Sequence, residues 1–387
     1  MIFLKKRMKI AAFVLALILL LPLASAATGV PAAAPGMSEL PCKSAILMDA
    51  ETGEVLYEQN ADEALPPASV TKVMTLLLVM EAIDAGRIAL TDEVRVSANA
   101  ASMGGSQVFL EEGETMSVEE MLKCVIIASA NDCAVALAEF VSGSEESFVA
   151  AMNARAAELG MKNTNFENTN GLDDTAQNHV ISARDVAIMS RALIAHPKIL
   201  EYSGIWMDSI RDGAFGLTNT NRLVRFYPGC TGLKTGSTAR AGFCVSATAK
   251  REGLSLVCVI MGAQTRDSRN ASAAKLLDFG FAHYETFRAE GGEGEIPVIG
   301  SDTEVLSVKW PSFCKTVPKG SAGRVKAVRD LPQTATAPLA AGESVGSILY
   351  SLDGNELGRV DALAQCDAKK IDFGGLFTRI LSQFLLL

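Results

Sequence analysis

Histidine and metal-binding cysteine patterns are scarce in this chain of 387 residues. It has three histidines, and its eight cysteines form no Cys-x-x-Cys motif or Cys/His cluster, so the sequence predicts no metal site and implies no cofactor. Basic residues are outnumbered, 35 Lys and Arg against 44 Asp and Glu, and the formal charge of -9 argues against a nucleic-acid partner. Four cysteines lie in apolar runs and are expected to be buried small residues rather than bridges: Cys124, Cys133, Cys244 and Cys258.

The apolar run at the N-terminus is too short to cross a membrane. Residues 10–23 span about 14 positions, whereas a transmembrane helix needs roughly 20. Basic residues precede the run, and Ala24-Ser25-Ala26 follows it as a cleavage site. Residues 1–26 therefore predict a signal peptide, and residues 27–41 a linker of small residues, in an exported protein.

Three short strings occur in one order along the chain: Ser69-Val70-Thr71-Lys72, Ser129-Ala130-Asn131 and Lys234-Thr235-Gly236. Each supplies a different part of a serine acyl-transfer site. Ser-x-x-Lys also occurs from Ser272 to Lys275 and from Ser312 to Lys315, so one string alone is weak. The interpretation depends on the order, the separation and the local context of all three.

The first string begins a helix. Apolar residues recur at helical spacing after Ser69 until Gly86, and Lys72 lies one turn beyond Ser69 on the same face. This arrangement predicts Ser69 as the nucleophile and Lys72 as its general base. Lys72 can accept a proton only if burial and a second cation, Lys234, lower its pKa from roughly 10.4 toward 7. The alternative is an N-cap serine followed by a solvated lysine.

The second string interrupts a strongly apolar helical stretch, residues 121–140. Its polar residues predict a break between two helices, with Asn131 or Asp132 capping the second. The break turns the Ser129 hydroxyl and the Asn131 amide toward a cleft. Ser129 is predicted to relay a proton, and Asn131 to bind a substrate amide. A plain capping turn is the alternative.

The third string precedes two β-rich runs, residues 242–248 and 254–261. It is therefore predicted to lie on a strand at the edge of an antiparallel sheet. Gly236 permits close backbone approach, Thr235 can bond a carboxylate or carbonyl, and Lys234 supplies positive charge. The alternative is an ordinary polar start of a strand.

Together these strings resemble the motif set of class A β-lactamases and penicillin-binding proteins. The fuller resemblance is to the low-molecular-mass penicillin-binding proteins that act as serine-type D-alanyl-D-alanine carboxypeptidases, peptidase family S11. It covers roughly residues 42 to 365. Further segments carry it: residues 65–72, Asn168-Thr169-Asn170-Gly171-Leu172, Ser182-Ala183-Arg184-Asp185, Gly232-Leu233-Lys234-Thr235-Gly236, and Arg269 with residues 276–281.

The resemblance implies further roles. Arg269 matches an arginine that holds the terminal carboxylate of the peptide, and the backbone N–H groups of Ser69 and Ser237 would form an oxyanion hole. Substrate binding then involves Lys234, Thr235, Gly236, Ser237 and Arg269. His179 is expected to be structural, because a Ser/Lys site has no role for a histidine. The implied reaction removes the terminal D-alanine from peptidoglycan stem peptides, with β-lactam antibiotics as covalent inhibitors.

The implied fold class is α+β: a penicillin-binding, β-lactamase-like domain with an antiparallel sheet covered by helices, then a small all-β domain. The resemblance implies a serine DD-peptidase catalytic domain at residues 42–288. Gly291-Gly292-Glu293-Gly294 marks the boundary, and short alternating runs after it predict a β-rich domain at 289–367. Residues 368–387 read as an amphipathic helix that would anchor the protein peripherally to the outer face of the cytoplasmic membrane, facing the cell envelope or periplasm. Its apolar face would be formed by Phe373, Leu376, Phe377, Ile380, Leu381, Phe384 and Leu385.

Three alternatives stay open at this point. A β-lactamase shares the motifs but usually lacks a second β domain and a tail, and no Glu-x-x-Leu-Asn element occurs here. A DD-endopeptidase of the same superfamily would cut cross-links instead. A catalytically silent wall-binding protein would use the β domain to hold a partner, and the intact Ser69, Lys72 and Lys234 argue against it.

Overall fold

The computed structural model describes residues 37–173 and 176–385, so the predicted signal peptide and most of the predicted linker lie outside the described residues. Its strands are β1 (Ser44–Asp49), β2 (Val55–Gln59), β3 (Glu93–Arg95), β4 (Thr115–Ser117), β5 (Met207–Ile210), β6 (Phe215–Thr218), β7 (Cys230–Thr238), β8 (Gly242–Arg251), β9 (Leu254–Ala263), β10 (Tyr284–Ala289), β11 (Gly292–Ile299), β12 (Val305–Trp310), β13 (Phe313–Pro318), β14 (Lys326–Asp330), β15 (Ala335–Thr336), β16 (Ser344–Leu352) and β17 (Asn355–Ala364). Its α-helices are α1 (Lys72–Asp84), α2 (Ala98–Ala101), α3 (Val118–Lys123), α4 (Asn131–Ser142), α5 (Glu145–Glu158), α6 (Ala183–Ile194), α7 (Pro197–Ser203), α8 (Leu223–Phe226), α9 (Arg266–His283) and α10 (Phe373–Leu385).

The larger sheet is antiparallel and has the strand order β2-β1-β9-β8-β7. Strand β1 is fully buried and pairs with β9, so a strand near the start of the described chain lies beside one that follows the helical block. Strand β7, which contains Lys234-Thr235-Gly236, is at the edge of this sheet, as the sequence predicted. The α+β fold is confirmed.

Helices cover both faces of this sheet. On one face, Leu47 and Leu256 pack against Gly280 of α9, where a β-carbon would come within 2.6 Å of the Leu256 side chain. Side chains alternate between the two faces of a strand, so Ser246 points the other way and meets Ser190 of α6 at 2.7 Å. Helix α1 is buried almost along its whole length, which fixes its first turn against the core.

The predicted break in the second helical stretch is confirmed. Helix α3 continues into a π-helical turn, Cys124–Ala128, and Ser129 then adopts a left-handed conformation with φ 66° before α4 begins. The predicted capping is wrong, because the N-cap of α4 is Ala130 and no side chain caps it. Asp132 instead accepts hydrogen bonds from the backbone N–H groups of Val108 and Leu110, so its carboxylate holds a neighbouring loop.

The second sheet has the order β14-β16-β17-β12-β11-β15, and its core includes Trp310, Ile348 and Tyr350. Strand β10 pairs with β13 and crosses the predicted division between residues 288 and 289. The glycine-rich stretch that the sequence predicts as the domain boundary forms the start of β11, where the Trp310 ring packs over Gly292. The exact division between the two domains therefore stays a prediction.

Strands β10 and β13 contact the first sheet at the turn after β1. Asp49 is fully buried and accepts a hydrogen bond from the Thr316 hydroxyl of β13 at 2.7 Å. Glu51 forms an ion pair with Arg288 of β10. These contacts attach the β10–β13 pair to the end of the first sheet that is occupied by the β1–β2 turn.

Helix α10 begins at Phe373, inside the predicted range of residues 368–387. Its apolar side chains are exposed to solvent, 83% for Phe373, 60% for Phe377 and 48% for Ile380. Within the described ranges, no helix combines the length and the apolar character that spanning a membrane requires. The apolar side chains described for this helix are therefore not buried on the β-rich domain.

Candidate active site

Ser69 lies in a 3-10 turn, Ala68–Thr71, which leads directly into α1. Ala68 adopts φ +49°, a region that non-glycine residues rarely occupy and that concentrates at functional sites. Two glycines from distant parts of the chain close on this turn. A β-carbon at Gly171 would be 1.9 Å from the Ala68 carbonyl oxygen, and one at Gly236 would be 2.7 Å from the Ser69 nitrogen. The turn is therefore held from two sides.

The Lys72 side chain is completely buried beside Ser69. Its Nζ lies 3.1 Å from Ser69 Oγ, 2.5 Å from Asn131 Oδ1 and 2.8 Å from the Asn170 carbonyl oxygen. Burial is the main cause that lowers the pKa of Lys72 well below its usual value, and the charge of Lys234 acts in the same direction, while Asp132 opposes both. The two predicted causes, burial and the charge of Lys234, both lower the pKa of Lys72, and burial is the larger of the two.

These three partners suit a neutral amine. A neutral lysine has two N–H donors and one lone pair, whereas the amide oxygen of Asn131 and the carbonyl oxygen of Asn170 can only accept. Both donors are thereby used, and the lone pair is left for the hydroxyl proton of Ser69 at 3.1 Å. The geometry can deprotonate Ser69 without any rearrangement of Lys72.

In the Ser-Ala-Asn string, the Ser129 side chain faces the cleft and the Asn131 side chain faces the protein interior. Ser129 lines the same cleft as Ser69. Asn131 is only 2% exposed, accepts from Lys72 and donates to the Gly104 carbonyl oxygen at 2.6 Å. Both ends of the amide bind protein groups, so the residue positions Lys72, and its hydrogen bond to a substrate amide stays a prediction.

Lys234 and Thr235 lie next to each other on the edge strand β7. Lys234 is completely buried, donates to the Thr235 carbonyl oxygen at 3.0 Å, and has its pKa lowered to about 7 by burial and by the charge of Arg269. The Thr235 hydroxyl donates to Thr220 at 2.9 Å. An anionic ligand bound beside Lys234 would favour its charged form.

Arg269 lies in the first turn of α9 and is buried. Its guanidinium donates to Asn270 Oδ1 at 2.9 Å and 3.1 Å, and to the Cys244 carbonyl oxygen. Burial, followed by the charges of Arg266 and Arg222, lowers the pKa of Arg269 to about 10. The structure brings Arg269 to the cleft that also contains Ser69, Ser129, Thr235, Gly236 and Ser237.

His179 is buried against the nucleophile turn, in agreement with its predicted structural role. Its Nδ1 accepts from the Glu167 N–H at 3.0 Å, so the ring proton is on Nε2, which lies 2.8 Å from Thr71 Oγ1. Thr71 in turn donates to the Ala68 carbonyl oxygen at 2.8 Å. Burial lowers the pKa of His179 to about 4, so it is neutral at pH 7 and supports the turn that carries Ser69.

Sequence reasoning missed three groups at the site. The backbone oxygen of Asn170 holds Lys72, Gly171 packs against the turn, and Thr220 accepts from Thr235. Asn170 and Gly171 belong to a string that carried the family resemblance, but no role was assigned to it. A backbone acceptor has no side-chain signal, and Thr220 lies in an ordinary polar loop.

The cleft in front of Ser69 has a volume of about 680 Å³ and is open to solvent. Its wall beyond Thr235 is formed by Trp206, Phe226, Arg222 and Arg266. In the part of the chain that the structure describes, no group of three or more His, Cys, Asp or Glu side chains is arranged to hold a metal ion.

Comparisons with known proteins agree along the chain. A family model described as D-alanyl-D-alanine carboxypeptidase matches residues 30–265, and one described as penicillin-binding protein 5, C-terminal domain, matches residues 292–370. The chain is 44% identical over 339 residues to D-alanyl-D-alanine carboxypeptidase DacF of Bacillus subtilis (strain 168), covering 86% of this chain and 87% of that protein.

Solved structures give the same result. Penicillin-binding protein 5 from Haemophilus influenzae matches with a TM-score of 0.77 and 33% identity, covering 86% of this chain and 99% of that chain. Penicillin-binding protein D2 from Listeria monocytogenes, in its ampicillin-bound form, matches with a TM-score of 0.58 and 33% identity, covering 63% of this chain and 99% of that one.

Proposed function

This chain belongs to the D-alanyl-D-alanine carboxypeptidase family, peptidase family S11, and on that premise we propose that it cleaves D-Ala-D-Ala through an acyl-enzyme on Ser69. It is a serine peptidase that removes the terminal D-alanine of peptidoglycan stem peptides and is inhibited by β-lactams. The observation that carries the mechanism is the 3.1 Å approach of Lys72 Nζ to Ser69 Oγ, with both amine N–H groups directed to other acceptors.

Acylation begins when the lone pair of Lys72 takes the Ser69 proton and Ser69 Oγ attacks the penultimate D-alanyl carbonyl carbon. The backbone N–H groups of Ser69 and Ser237 stabilise the oxyanion. Support for this pair comes from Gly236, whose missing side chain allows β7 to approach the Ser69 nitrogen. General-base assistance of this kind contributes about 10²–10⁴-fold to the rate.

The terminal carboxylate is held while the peptide bond breaks. Thr235, Lys234 and Arg269 bind it, and the charged form of Lys234 is favoured once the carboxylate is present. The proton taken by Lys72 passes through Ser129 to the leaving amine. Water then hydrolyses the acyl-enzyme, again with Lys72 as the base, and restores Ser69.

Two measurements test this function. Incubation with a diacetylated Lys-D-Ala-D-Ala tripeptide should release free D-alanine, and a mass spectrum after penicillin treatment should place the adduct on Ser69. The Ser69→Ala variant should lose both signals, whereas Ser312→Ala, at an exposed serine of another Ser-x-x-Lys string, should keep them. Rapid penicillin turnover with no D-alanine release would favour a β-lactamase instead.

We further propose that the protein is exported by residues 1–26 and binds the membrane surface through α10. Exposed Phe373, Phe377 and Ile380 support this, because amphipathic helices bury such residues at the boundary between headgroups and acyl chains. Lys369 and Lys370 precede the helix and would lie near anionic headgroups. No metal or cofactor enters the proposal.

Membrane association can be separated from catalysis. The chain without residues 371–387 should stay in the supernatant when it is centrifuged with vesicles containing anionic lipid, and should release D-alanine at the rate of the full chain. A Phe373→Ser, Phe377→Ser variant of the full chain should bind vesicles more weakly. Sedimentation of the truncated chain with vesicles would contradict the proposed anchor.

A further inference from the structure

Thr235, Lys234 and Arg269, which bind the terminal carboxylate in the proposed mechanism, are called the carboxylate clamp below. The positive charge around this clamp exceeds what one carboxylate requires. Lys234, Arg269, Arg266 and Arg222 gather at one part of the cleft or just behind its wall. One bidentate guanidinium is sufficient to bind one carboxylate. Arg222 and Arg266, the two outer arginines, also act on Arg269, the inner one, since both lower its pKa. They are therefore close enough to add to the field that a bound anion experiences.

Arg266 lies at a position where its positive charge is expected to reduce the stability of the fold. It is the first residue of an 18-residue helix, α9, and cations near a helix N-terminus oppose the helix dipole. A capping box formed by Thr265 and Ser268 already satisfies this end of the helix. An arginine in this position contributes no cap and reduces stability, and a local rule broken in this way points to a functional site.

Arg222 is presented by a rigid loop. Asn219 donates to the carbonyl oxygens of Ser203 and Ile205, and Asn221 accepts from the Leu223 N–H. These buried asparagines hold the backbone on either side of Thr220, which contacts Thr235. The Arg222 side chain thus starts from a defined position beside the carboxylate clamp.

The inner and outer arginines differ in what they bind. Arg269 is buried and already donates to Asn270 and Cys244. Arg222 and Arg266 are exposed, and within the described ranges neither forms an ion pair with an acidic side chain. The two outer guanidinium groups are therefore available to a ligand in the cleft.

The cleft beyond the clamp is larger than D-alanine needs, because that leaving group has only a methyl side chain. Trp206 and Phe226 form an edge-to-face pair with ring centroids 6.2 Å apart, and Phe226 is 69% exposed. An aromatic wall next to two free arginines suits a leaving group with a hydrocarbon chain and a further carboxylate.

We propose that Arg222 and Arg266 form a second anion subsite, on the leaving-group side, for amino acids that carry another carboxylate. The subsite rests on the proposed function, because the clamp defines where the leaving group lies. A cross-linked stem peptide supplies such a group when its leaving amine belongs to a dicarboxylic diamino acid, which has one carboxylate beside that amine and another at the far end of its chain. The site therefore fits DD-endopeptidase activity in addition to D-alanine release.

The reaction is the same displacement with a different amine. Ser69 Oγ bonds to the D-alanyl carbonyl carbon, the bond from that carbon to the diamino-acid nitrogen breaks, and the serine proton ends on the leaving nitrogen. Water then hydrolyses the serine ester and restores the hydroxyl. No oxidant, reductant or co-reactant other than water is required.

Matched peptides test the subsite. Diacetyl-Lys-D-Ala-D-Glu and diacetyl-Lys-D-Ala-D-Gln have nearly the same shape and differ by one charge, and diacetyl-Lys-D-Ala-D-Ala reports the basic reaction. We expect kcat/KM for the D-Glu peptide to exceed that for the D-Gln peptide about fivefold, the size of an exposed ion pair. Arg222→Gln with Arg266→Gln should bring this ratio to about one, whereas Arg87→Gln, on the loop after α1, should leave it unchanged.

The outcomes are distinguishable. Equal kcat/KM values for the D-Glu and D-Gln peptides in the wild-type chain, or a preference that survives the double variant, would overturn the second subsite. Failure to release any amino acid from all three peptides would refute the proposed function instead. A purified cross-linked dimer should be converted to monomers by the wild-type chain and more slowly by the double variant.

Discussion

The α-carbon of Gly236 lies directly against the amide nitrogen of Ser69, so that a β-carbon at residue 236 would be 2.7 Å from that nitrogen. The same β-carbon would be 3.0 Å from the Pro67 carbonyl oxygen. Both neighbours are backbone atoms, which cannot move aside as a flexible side chain can. The close approach couples the edge strand β7 to the nucleophile turn, and with it the spacing of the two proposed oxyanion donors.

Replacing Gly236 by alanine should therefore impair acylation more than folding. We expect the rate constant for acylation by penicillin to fall about 10²–10³-fold, the usual effect of losing one oxyanion donor. Gly216→Ala is the matched control, because a β-carbon there meets nothing within 4 Å. Stopped-flow acylation with a chromogenic β-lactam measures both variants, and equal rates would contradict the coupling.

Lys72→Arg should abolish rapid acylation although it keeps a positive charge. Arginine cannot be deprotonated in proteins, so no lone pair would be available to Ser69. We expect a loss of about 10²–10⁴-fold. Lys275→Arg, in the other helical Ser-x-x-Lys string, is the control, since Lys275 is exposed and bonded to Ser38. Near-wild-type acylation by the Lys72→Arg protein would exclude Lys72 as the base, and Lys72→Met should be as slow as the arginine variant.

Lys234 should reduce stability at neutral and acidic pH. Its pKa falls from 10.5 in the unfolded chain to about 7 in the folded protein, so the penalty is complete below pH 7 and disappears as pH rises toward 10.5. A change of this size corresponds to roughly 5 kcal/mol. Lys234→Met should therefore unfold at higher urea concentration than the wild-type chain at pH 6, with a smaller difference at pH 9. A difference independent of pH would contradict the buried neutral lysine.

The His179 hydrogen bond to Thr71 should influence acylation through the nucleophile turn. Glutamine can donate from the position of Nε2, whereas asparagine reaches only the position of Nδ1. We expect His179→Gln to acylate at nearly the wild-type rate, and His179→Asn about five- to tenfold more slowly, as loss of one buried hydrogen bond predicts. Thr71→Val should be slower still, because it also removes the hydrogen bond from Thr71 to the Ala68 carbonyl oxygen.

A double-variant cycle provides the control for this prediction. His179→Asn combined with Thr71→Val should be no slower than Thr71→Val alone, because Thr71→Val already removes the contact through which His179 acts. Additive losses would show that His179 acts elsewhere than through Thr71. KM for the tripeptide should stay constant while kcat falls, since the contact positions the nucleophile and does not bind substrate.

Much of the fold follows from local sequence patterns. Alternating and continuous apolar runs predicted β8 and β9, and helical spacing predicted the buried helix after Ser69. The polar residues within an apolar stretch predicted the break at Ser129. These signals are local, so they can be read without knowledge of the tertiary structure.

Groups that act through the backbone or across the chain were not predictable in this way. The part that Asn131 plays in positioning Lys72 was missed because its amide meets Lys72 and Gly104, partners 59 and 27 positions away. The Asn170 carbonyl oxygen approaches Lys72 only after the 168–172 loop folds onto the turn. Capping by Asp132 failed for the same reason, since backbone N–H groups of a distant loop compete for its carboxylate.

The pairing of β1 with β9 joins segments roughly 200 residues apart, a separation that makes closure of the sheet a late event in folding. Helix α1 and the nucleophile turn belong to the early part of the chain, whereas β7 and α9 belong to the late part. A nascent chain that ends before residue 230 carries a serine and an amine but has neither an anion clamp nor a second oxyanion donor. The chain therefore cannot hydrolyse substrate until synthesis of the catalytic region is finished.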